Sequence, residues 1–152
     1  DPSPSQAPRA TFVKFERAWI ALVVIVFLGV NFASIDFMPT TATAKAVASG
    51  DKIMEVNFTA ESWSYDLPEV KIEVGKPVRF SGKSLDTMHG FAIYHPNGKV
   101  LFTMMLMPGL ESPTSLIHTF KDPGTYTVRC LEYCGNSHHE MRDELVVVAA
   151  GS

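Results

Sequence analysis

Hydrophobic residues follow two different patterns along the chain. No charged residue occurs between Arg17 and Asp36, and the run from Trp19 to Val30 is almost entirely apolar. This uncharged stretch of 18 residues is just long enough to cross a lipid bilayer as a helix. The first pattern therefore predicts one transmembrane helix over residues 18–38.

A cleaved signal peptide is the alternative to a retained anchor, because small residues follow at positions 43–46. The apolar region of a signal peptide has about 7–15 residues, and this run is longer, so a retained anchor is favoured. Arg9, Lys14 and Arg17 precede the span. Basic residues next to a span stay in the cytoplasm. Segment 1–17 is therefore expected on the cytoplasmic side of the inner membrane, and the rest of the chain on the periplasmic side.

The second pattern begins at residue 52, where apolar residues occur in short runs divided by turn residues. Ile72 and Val74 alternate with polar neighbours, as residues of half-buried strands do, and Pro96-Asn97-Gly98 is typical of a turn. Residues 39–51 are a small-residue linker. Short strands in this number predict a mainly β domain over residues 52–149, a sandwich or a barrel. The eight predicted strands are 53–58, 70–74, 77–81, 89–95, 100–107, 115–120, 125–130 and 144–149.

Charge excludes one class of function. The chain has a formal net charge of −3, and no basic patch that would favour nucleic-acid binding occurs. Residues 1–35 carry a net charge of +1 and residues 36–152 a net charge of −4. An acidic domain suits a basic protein partner, but a charge of this size is also that of an ordinary soluble surface.

Chemistry is concentrated in the stretch from Cys130 to Met141. It contains both cysteines, two of the five histidines and one of the seven methionines of the chain. Thiolate, imidazole and thioether are soft ligands that select copper. Because a single-copper site needs only one thiolate, two cysteines separated by three residues favour a site in which two metals share both sulfurs.

Two other readings of the cysteines stay open at this point. Cys130 and Cys134 could form a disulfide in an oxidising compartment, although the bridge would close a very short loop and leave His138 and Met141 unexplained. A structural zinc site is also chemically possible. Zinc gives no reason for a methionine at this spacing.

The spacing Cys-x-Glu-x-Cys-Gly-x-x-His-x-x-Met resembles the CuA loop of subunit II of haem–copper cytochrome c oxidases. The resemblance implies a cupredoxin-like Greek-key fold and a dinuclear copper centre. It makes the thiolates of Cys130 and Cys134 the bridges, and His138 a terminal ligand. Met141 becomes a weak axial ligand, and Glu132 contributes its backbone carbonyl.

The second terminal histidine of that family lies upstream, in an Asp-x-x-His pattern after a strand. Asp86 and His89 match this pattern, about forty residues before the loop. His139 competes with its neighbour His138. A separation of three residues places His138 and Met141 on one side of a helical turn, so we expect His139 to point towards solvent or a partner subunit.

The resemblance also implies function and partners. Subunit II accepts electrons from a cytochrome c and passes them to haem in subunit I, which reduces oxygen to water with proton pumping. On this reading the chain is the electron-accepting subunit of an oxidoreductase and carries out no oxygen chemistry alone. Its single span is similar to that of B-family (ba3-type) oxidases, in which a small single-helix subunit supplies a missing helix.

Two further residues take roles from the resemblance. Trp63 corresponds to the aromatic region through which cytochrome c delivers its electron, although a packed loop aromatic is an equal alternative. The Glu132 side chain corresponds to a glutamate that, in some members, helps to bind magnesium at the interface with subunit I.

Two rival functions share parts of the pattern. A membrane-anchored copper chaperone of the Sco type also carries Cys-x3-Cys, but it is thioredoxin-like, with helices between its strands and usually proline after the second cysteine. This chain has Gly135 there. The CuA domain of nitrous oxide reductase is similar, but that enzyme requires a large additional catalytic domain.

Overall fold

The structure, a computed structural model, divides into two compact units, residues 1–41 and residues 42–152. Most of the predicted linker 39–51 and residues 1–6 of the predicted cytoplasmic segment lie outside the described residues. The described residues are 7–35, 38, 48, 50 and 52–151.

The first unit contains helix α1, Ala7–Ser34. Its segment Phe12–Ser34 has 23 residues that are apolar enough to cross a membrane, and at 1.5 Å per residue it is about 35 Å long, against about 30 Å for the hydrocarbon core of a bilayer. The helix begins before residue 18, the predicted start of the span. Charged residues such as Lys14 and Arg17 limit a membrane span but are good helix formers, so they do not end the helix.

Polar side chains near the end of α1 are satisfied within the helix. The Asn31 amide donates a hydrogen bond to the Phe27 carbonyl at 2.7 Å. The Ser34 hydroxyl donates to the Val30 carbonyl, also at 2.7 Å. Because both groups bond to the preceding turn, they need no partner from outside the helix, which suits an apolar environment.

The second unit contains nine strands in the described residues, and each of the eight predicted strands is present with shifted ends. The additional strand, β2, is three residues long and has one buried side chain, so it offers no alternation for a sequence pattern to detect. The strands are β1 Met54–Glu61, β2 Ser64–Asp66, β3 Lys71–Glu73, β4 Pro77–Ser84, β5 His89–Tyr94, β6 Val100–Leu106, β7 Thr114–Thr119, β8 Gly124–Arg129 and β9 Arg142–Val148.

The strands form two sheets, as expected for a β-sandwich. One sheet has the order β2-β1-β4-β7 and the other the order β3-β9-β8-β5-β6. Two pairs of neighbours, β1 with β4 and β3 with β9, are parallel, and the other neighbours are antiparallel. Some neighbours are distant in sequence, and one such pair, β5 with β8, brings the start of β5 beside the end of β8.

Aromatic side chains join the two sheets in the core. Phe58 of β1 and Phe91 of β5 are stacked with ring centroids 4.1 Å apart, and Phe80 of β4 lies 5.9 Å from Phe91. All three are buried. Full burial of a phenylalanine side chain contributes about 1.5–3 kcal/mol, so this stack fixes β5 against the opposite sheet.

Gly82 of β4 tests how tightly this core is packed. A Cβ at this position would overlap the Phe58 ring and lie 2.8 Å from Leu106 Cδ2. We expect Gly82→Ala to lower the free energy of unfolding by about 1–3 kcal/mol, because overpacking forces neighbours to move. Denaturant unfolding of the full chain in detergent measures the change. Ser115→Ala, on the exposed face of β7, is the control and should change stability by less than about 0.5 kcal/mol; an equally stable Gly82→Ala protein would contradict the prediction.

Candidate metal centre

The stretch from Cys130 to Met141 is a loop between β8 and β9, and we call it the ligand loop. These strands are antiparallel neighbours whose facing ends are Arg129 and Arg142. The Cys130 amide donates a hydrogen bond to the Met141 carbonyl at 3.2 Å. The sheet thus fixes both ends of the ligand loop, and this hydrogen bond closes it.

The fold of the ligand loop turns its side chains inwards. Gly135 has φ +121°, a conformation that residues with a side chain rarely adopt. The His138 amide then donates to the Gly135 carbonyl at 3.1 Å, and a short 3-10 helix, His138–Glu140, follows. The Met141 amide donates to the His138 carbonyl at 3.2 Å. One helical turn therefore separates His138 from Met141.

The two cysteine sulfurs are the centre of this arrangement. Cys130 Sγ lies 3.8 Å from Cys134 Sγ, and both residues are buried. A disulfide requires an S–S distance of about 2.05 Å, so the cysteines are free thiols. Cys134 Sγ is 3.5 Å from His138 Nδ1 and 3.8 Å from Met141 Sδ. Cys130 Sγ is 3.1 Å from the Glu132 carbonyl oxygen.

His89, the first residue of β5, joins the cluster from outside the ligand loop. It is fully buried, and its ligand atom and the two cysteine sulfurs all lie within 4.8 Å of one another. His89 Nε2 is 2.7 Å from Asp86 Oδ1, whereas His89 Nδ1 has no hydrogen-bond partner. A buried nitrogen without a partner is costly, and a metal ion would satisfy it.

The Asp86 carboxylate fixes which nitrogen of His89 is free. Partial burial acts to raise the pKa of Asp86, but hydrogen bonds from the Ser62 side chain, the His89 ring and the backbone amides of Thr87 and Ser62 hold that pKa well below its usual value. Asp86 is therefore ionised, and its Oδ1 accepts a hydrogen bond from the protonated Nε2 of His89. This carboxylate–histidine pair leaves a lone pair on Nδ1, the form that ligates metals.

The raised pKa of the Cys134 thiol links its ionisation to a nearby positive charge. Burial, and then the neighbouring Cys130, raises the pKa of the Cys134 thiol to about 11. A thiol in such surroundings keeps its proton at neutral pH unless a positive charge takes its place. Metal binding supplies that charge and releases the proton. The donor set of two thiols, two imidazoles and a thioether fits soft ions such as copper.

Three contacts of this centre had no signal in the sequence. The Gly90 amide donates to Cys130 Sγ at 3.3 Å. The Tyr65 hydroxyl donates to the Gly90 carbonyl at 2.5 Å. The Trp63 indole donates to the Cys134 carbonyl at 3.0 Å. Each joins segments far apart in sequence, so only the fold brings the partners together.

The remaining predicted residues lie at the edge of the centre. His139 is 76% exposed, and its ring is 3.8 Å from the Glu140 carboxylate. It thus points outwards, as expected. Trp63 is 39% exposed although its indole reaches the ligand loop. The structure therefore brings His89 close to the predicted ligands of the loop, which are Cys130, Glu132, Cys134, His138 and Met141.

Comparison with known proteins identifies the family. No protein-family model matches the chain. Cytochrome c oxidase subunit 2 of Thermus thermophilus is 30% identical over 110 residues, which are 72% of this chain and 77% of that protein. The chain belongs to the cytochrome c oxidase subunit 2 family. The alternative cytochrome c oxidase subunit 2 of Bradyrhizobium diazoefficiens is 31% identical over 83 residues, 53% of this chain and 27% of that protein.

Solved structures agree with this assignment. A chain of a heme-copper terminal oxidase dimer, determined by cryo-EM, has a TM-score of 0.61 and 27% identity, covering 88% of this chain and 99% of that one. The periplasmic domain of subunit II of the Bradyrhizobium japonicum cytochrome oxidase has a TM-score of 0.52 at 19% identity, covering 64% and 85%. Auracyanin A, a blue copper protein of Chloroflexus aurantiacus, has a TM-score of 0.50 at 15% identity, covering 64% of this chain and 100% of that one. The predicted cupredoxin-like fold is confirmed.

Membership of the subunit 2 family confirms the broad predictions. The chain is a subunit of an oxidoreductase complex of the heme-copper type, and its apolar helix fits a single membrane span. The chaperone alternative required helices between strands. Residues 52–151 contain no α-helix, so a thioredoxin-like fold is excluded for this part of the chain.

The adjacent histidines give a direct test of the geometry. We expect His138→Ala to abolish the copper absorption and paramagnetic resonance spectrum of the full-length protein, because its Nδ1 faces Cys134 Sγ. His139→Ala is the matched control, and its spectrum should be that of the wild type. Spectra of both variants after loading with the same amount of copper decide the question. If His139→Ala lost the spectrum and His138→Ala kept it, the ligand would be His139 and the prediction would be wrong.

Proposed function

We propose that this subunit holds a dinuclear CuA centre. The observation that carries the proposal is the pair of buried free thiols 3.8 Å apart, with imidazole nitrogens of two histidines turned towards them. When bound, a pair of copper ions held by these residues would supply a one-electron carrier. The proposed ligands are His89, Cys130, Cys134, His138, Met141 and the backbone carbonyl of Glu132.

The protein's own contribution is a fixed set of donors. Cys130 and Met141 lie at the two ends of the ligand loop, which β8 and β9 tie to one sheet. His89 begins β5, a strand of the same sheet. Donors attached to a paired sheet move little when the charge at the centre changes, and a site that needs little rearrangement transfers electrons readily.

The function we infer is transfer of electrons from a cytochrome c to haem in subunit I of a terminal oxidase. The family name of the relatives and the heme-copper oxidase to which this chain is similar support that role. Reduction of oxygen to water, with proton pumping, belongs to subunit I in this proposal. A small single-helix subunit would complete a complex of the B-family type.

The electron donor needs a surface close to the centre, and the segments that bear the ligands provide one. Trp63 is part-exposed and donates to the Cys134 carbonyl, so one hydrogen bond separates the surface from a ligand residue. We propose Trp63 as the residue through which the electron arrives. Apolar side chains that are exposed on the same segments suit a transient partner. They are Leu85, Met88, Leu131 and Tyr133.

Two further assignments complete the proposal. The apolar helix anchors the chain in the inner membrane with its N-terminus in the cytoplasm, and residues 52–149 lie on the periplasmic side. Glu132 is half-buried, and its backbone carbonyl oxygen lies 3.1 Å from Cys130 Sγ. We assign its side chain to magnesium at the interface with subunit I.

Copper loading of variants tests the centre. The wild-type chain should bind two coppers and give a paramagnetic resonance pattern from one electron shared by two equivalent nuclei. Cys130→Ser and Cys134→Ser should each destroy that pattern, because each removes a bridge. Glu132→Ala is the control, since it keeps the backbone carbonyl, and it should retain both coppers. A single-copper pattern in the wild type, or a protein that takes up zinc alone, would overturn the proposal.

Protease accessibility tests the orientation. In sealed inside-out membrane vesicles, the β domain should be protected from added protease, and in spheroplasts it should be digested. Mass spectrometry of the membrane-bound chain should find the apolar helix still attached. Cleavage near Ala46 in the mature protein, or digestion of the domain in inside-out vesicles, would contradict a retained anchor with this orientation.

A further inference from the structure

The hairpin formed by the end of β1 and by β2 contacts both segments that carry the proposed ligands. We call residues 61–66 the ligand-positioning hairpin. Its residues pair across the turn, with Glu61 opposite Ser64. Three of its side chains, those of Ser62, Trp63 and Tyr65, are hydrogen-bonded to residues 24 to 71 positions further along the chain. No signal in the sequence pointed to this set of contacts.

The first contact acts on His89. The Ser62 amide donates to Asp86 Oδ2 at 2.9 Å, and the Ser62 hydroxyl donates to the same oxygen. The other carboxylate oxygen of Asp86, Oδ1, accepts a hydrogen bond from His89 Nε2 at 2.7 Å. Ser62 therefore fixes the carboxylate that orients the imidazole.

The second contact acts on Cys130. The Tyr65 hydroxyl donates to the Gly90 carbonyl at 2.5 Å, and the amide of the same Gly90 donates to Cys130 Sγ at 3.3 Å. A Cβ at Gly90 would lie 2.7 Å from the Leu131 amide nitrogen. Only glycine lets β5 approach the ligand loop this closely.

The third contact acts on Cys134. The Trp63 indole donates to the Cys134 carbonyl at 3.0 Å. A Cβ at Gly135 would lie 3.0 Å from the same indole nitrogen. The absence of a side chain at Gly135 therefore admits Trp63 to the ligand loop as well as allowing its left-handed backbone.

We propose that Ser62, Trp63 and Tyr65 are positioning residues that set the distance and orientation of His89, Cys130 and Cys134 before metal binds. This inference rests on the proposed copper centre and goes beyond it, because it assigns a role to a hairpin that supplies no ligand. A hydrogen bond to a cysteine sulfur changes the reduction potential of a copper site. Partners of ligands contribute about 10–100-fold to metal affinity.

The alternative is that the hairpin only packs against the domain and does not position the ligands. Matched variants distinguish a positioning role from a packing role. Tyr65→Phe removes one hydroxyl next to the centre. Tyr126→Phe is its control, because Tyr126 is also buried and its hydroxyl donates to the Asp122 carbonyl at 2.7 Å, in a turn outside the ligand-bearing segments. Ser62→Ala removes the hydroxyl that bonds to Asp86. Ser64→Ala, at an exposed position of the same hairpin, is its control.

The experiment uses the full-length protein in detergent, with copper affinity and reduction potential as readouts. We expect Ser62→Ala and Tyr65→Phe to bind copper about tenfold more weakly than their controls. Tyr65→Phe should also have a lower reduction potential, because a loosened Gly90 amide withdraws less electron density from the sulfur. Ser62→Thr should restore the affinity lost in Ser62→Ala, because it restores the hydroxyl. In the metal-free protein, hydrogen exchange at the Gly90 amide should be faster in Tyr65→Phe than in Tyr126→Phe.

The outcomes separate this inference from the copper proposal. A wild type with two coppers, beside variants whose affinity and potential equal those of their controls, would overturn the positioning role and leave the CuA centre standing. Loss of thermal stability alone, equal in Tyr65→Phe and Tyr126→Phe, would also overturn it. A wild-type protein that does not bind two coppers would overturn the proposed function, and with it the positioning role that rests on it.

Discussion

The hydrogen bond from the Cys130 amide to the Met141 carbonyl is the constraint on which the metal centre depends. It continues the pairing of β8 with β9 by one step, and it makes the ligand loop a closed turn at the end of a sheet. Within that turn, Gly135 and the short 3-10 helix bring His138 and Met141 to the sulfur of Cys134. The backbone of the loop therefore brings Cys134, His138 and Met141 close to one another.

A closed loop alone does not complete the centre, because His89 belongs to β5. The register of β5 on β8, with Ala92 opposite Arg129, places the start of β5 beside the loop. The stack of Phe58 on Phe91 then fixes β5 against the opposite sheet. The packing of the core and the geometry of the centre are thus connected, since Phe91 lies only two residues from His89.

The helix, the strands and the donors of the ligand loop could be predicted from sequence because each depends on residues close together in the chain. Donor types and their spacing in the ligand loop are local, and so are the uncharged run of the helix and the turn residues between strands. In strands such as β1 and β8, buried side chains alternate with more exposed ones, as residues of half-buried strands do. The resemblance of the ligand loop and of the Asp-x-x-His pattern to one family led to the fold, and comparison with known proteins confirmed it.

Contacts between distant segments were decided only by the tertiary structure. Strand β2 has one buried side chain, so no alternation of apolar and polar residues predicts it. The start of α1 before residue 18 follows from helix propensity, which a search for uncharged residues does not measure. The bond from Trp63 to Cys134 spans 71 residues, and the free nitrogen of His89 depends on a carboxylate that Ser62 holds in place. Such pairings require the sheets to be assembled first, and no local pattern of residues encodes them.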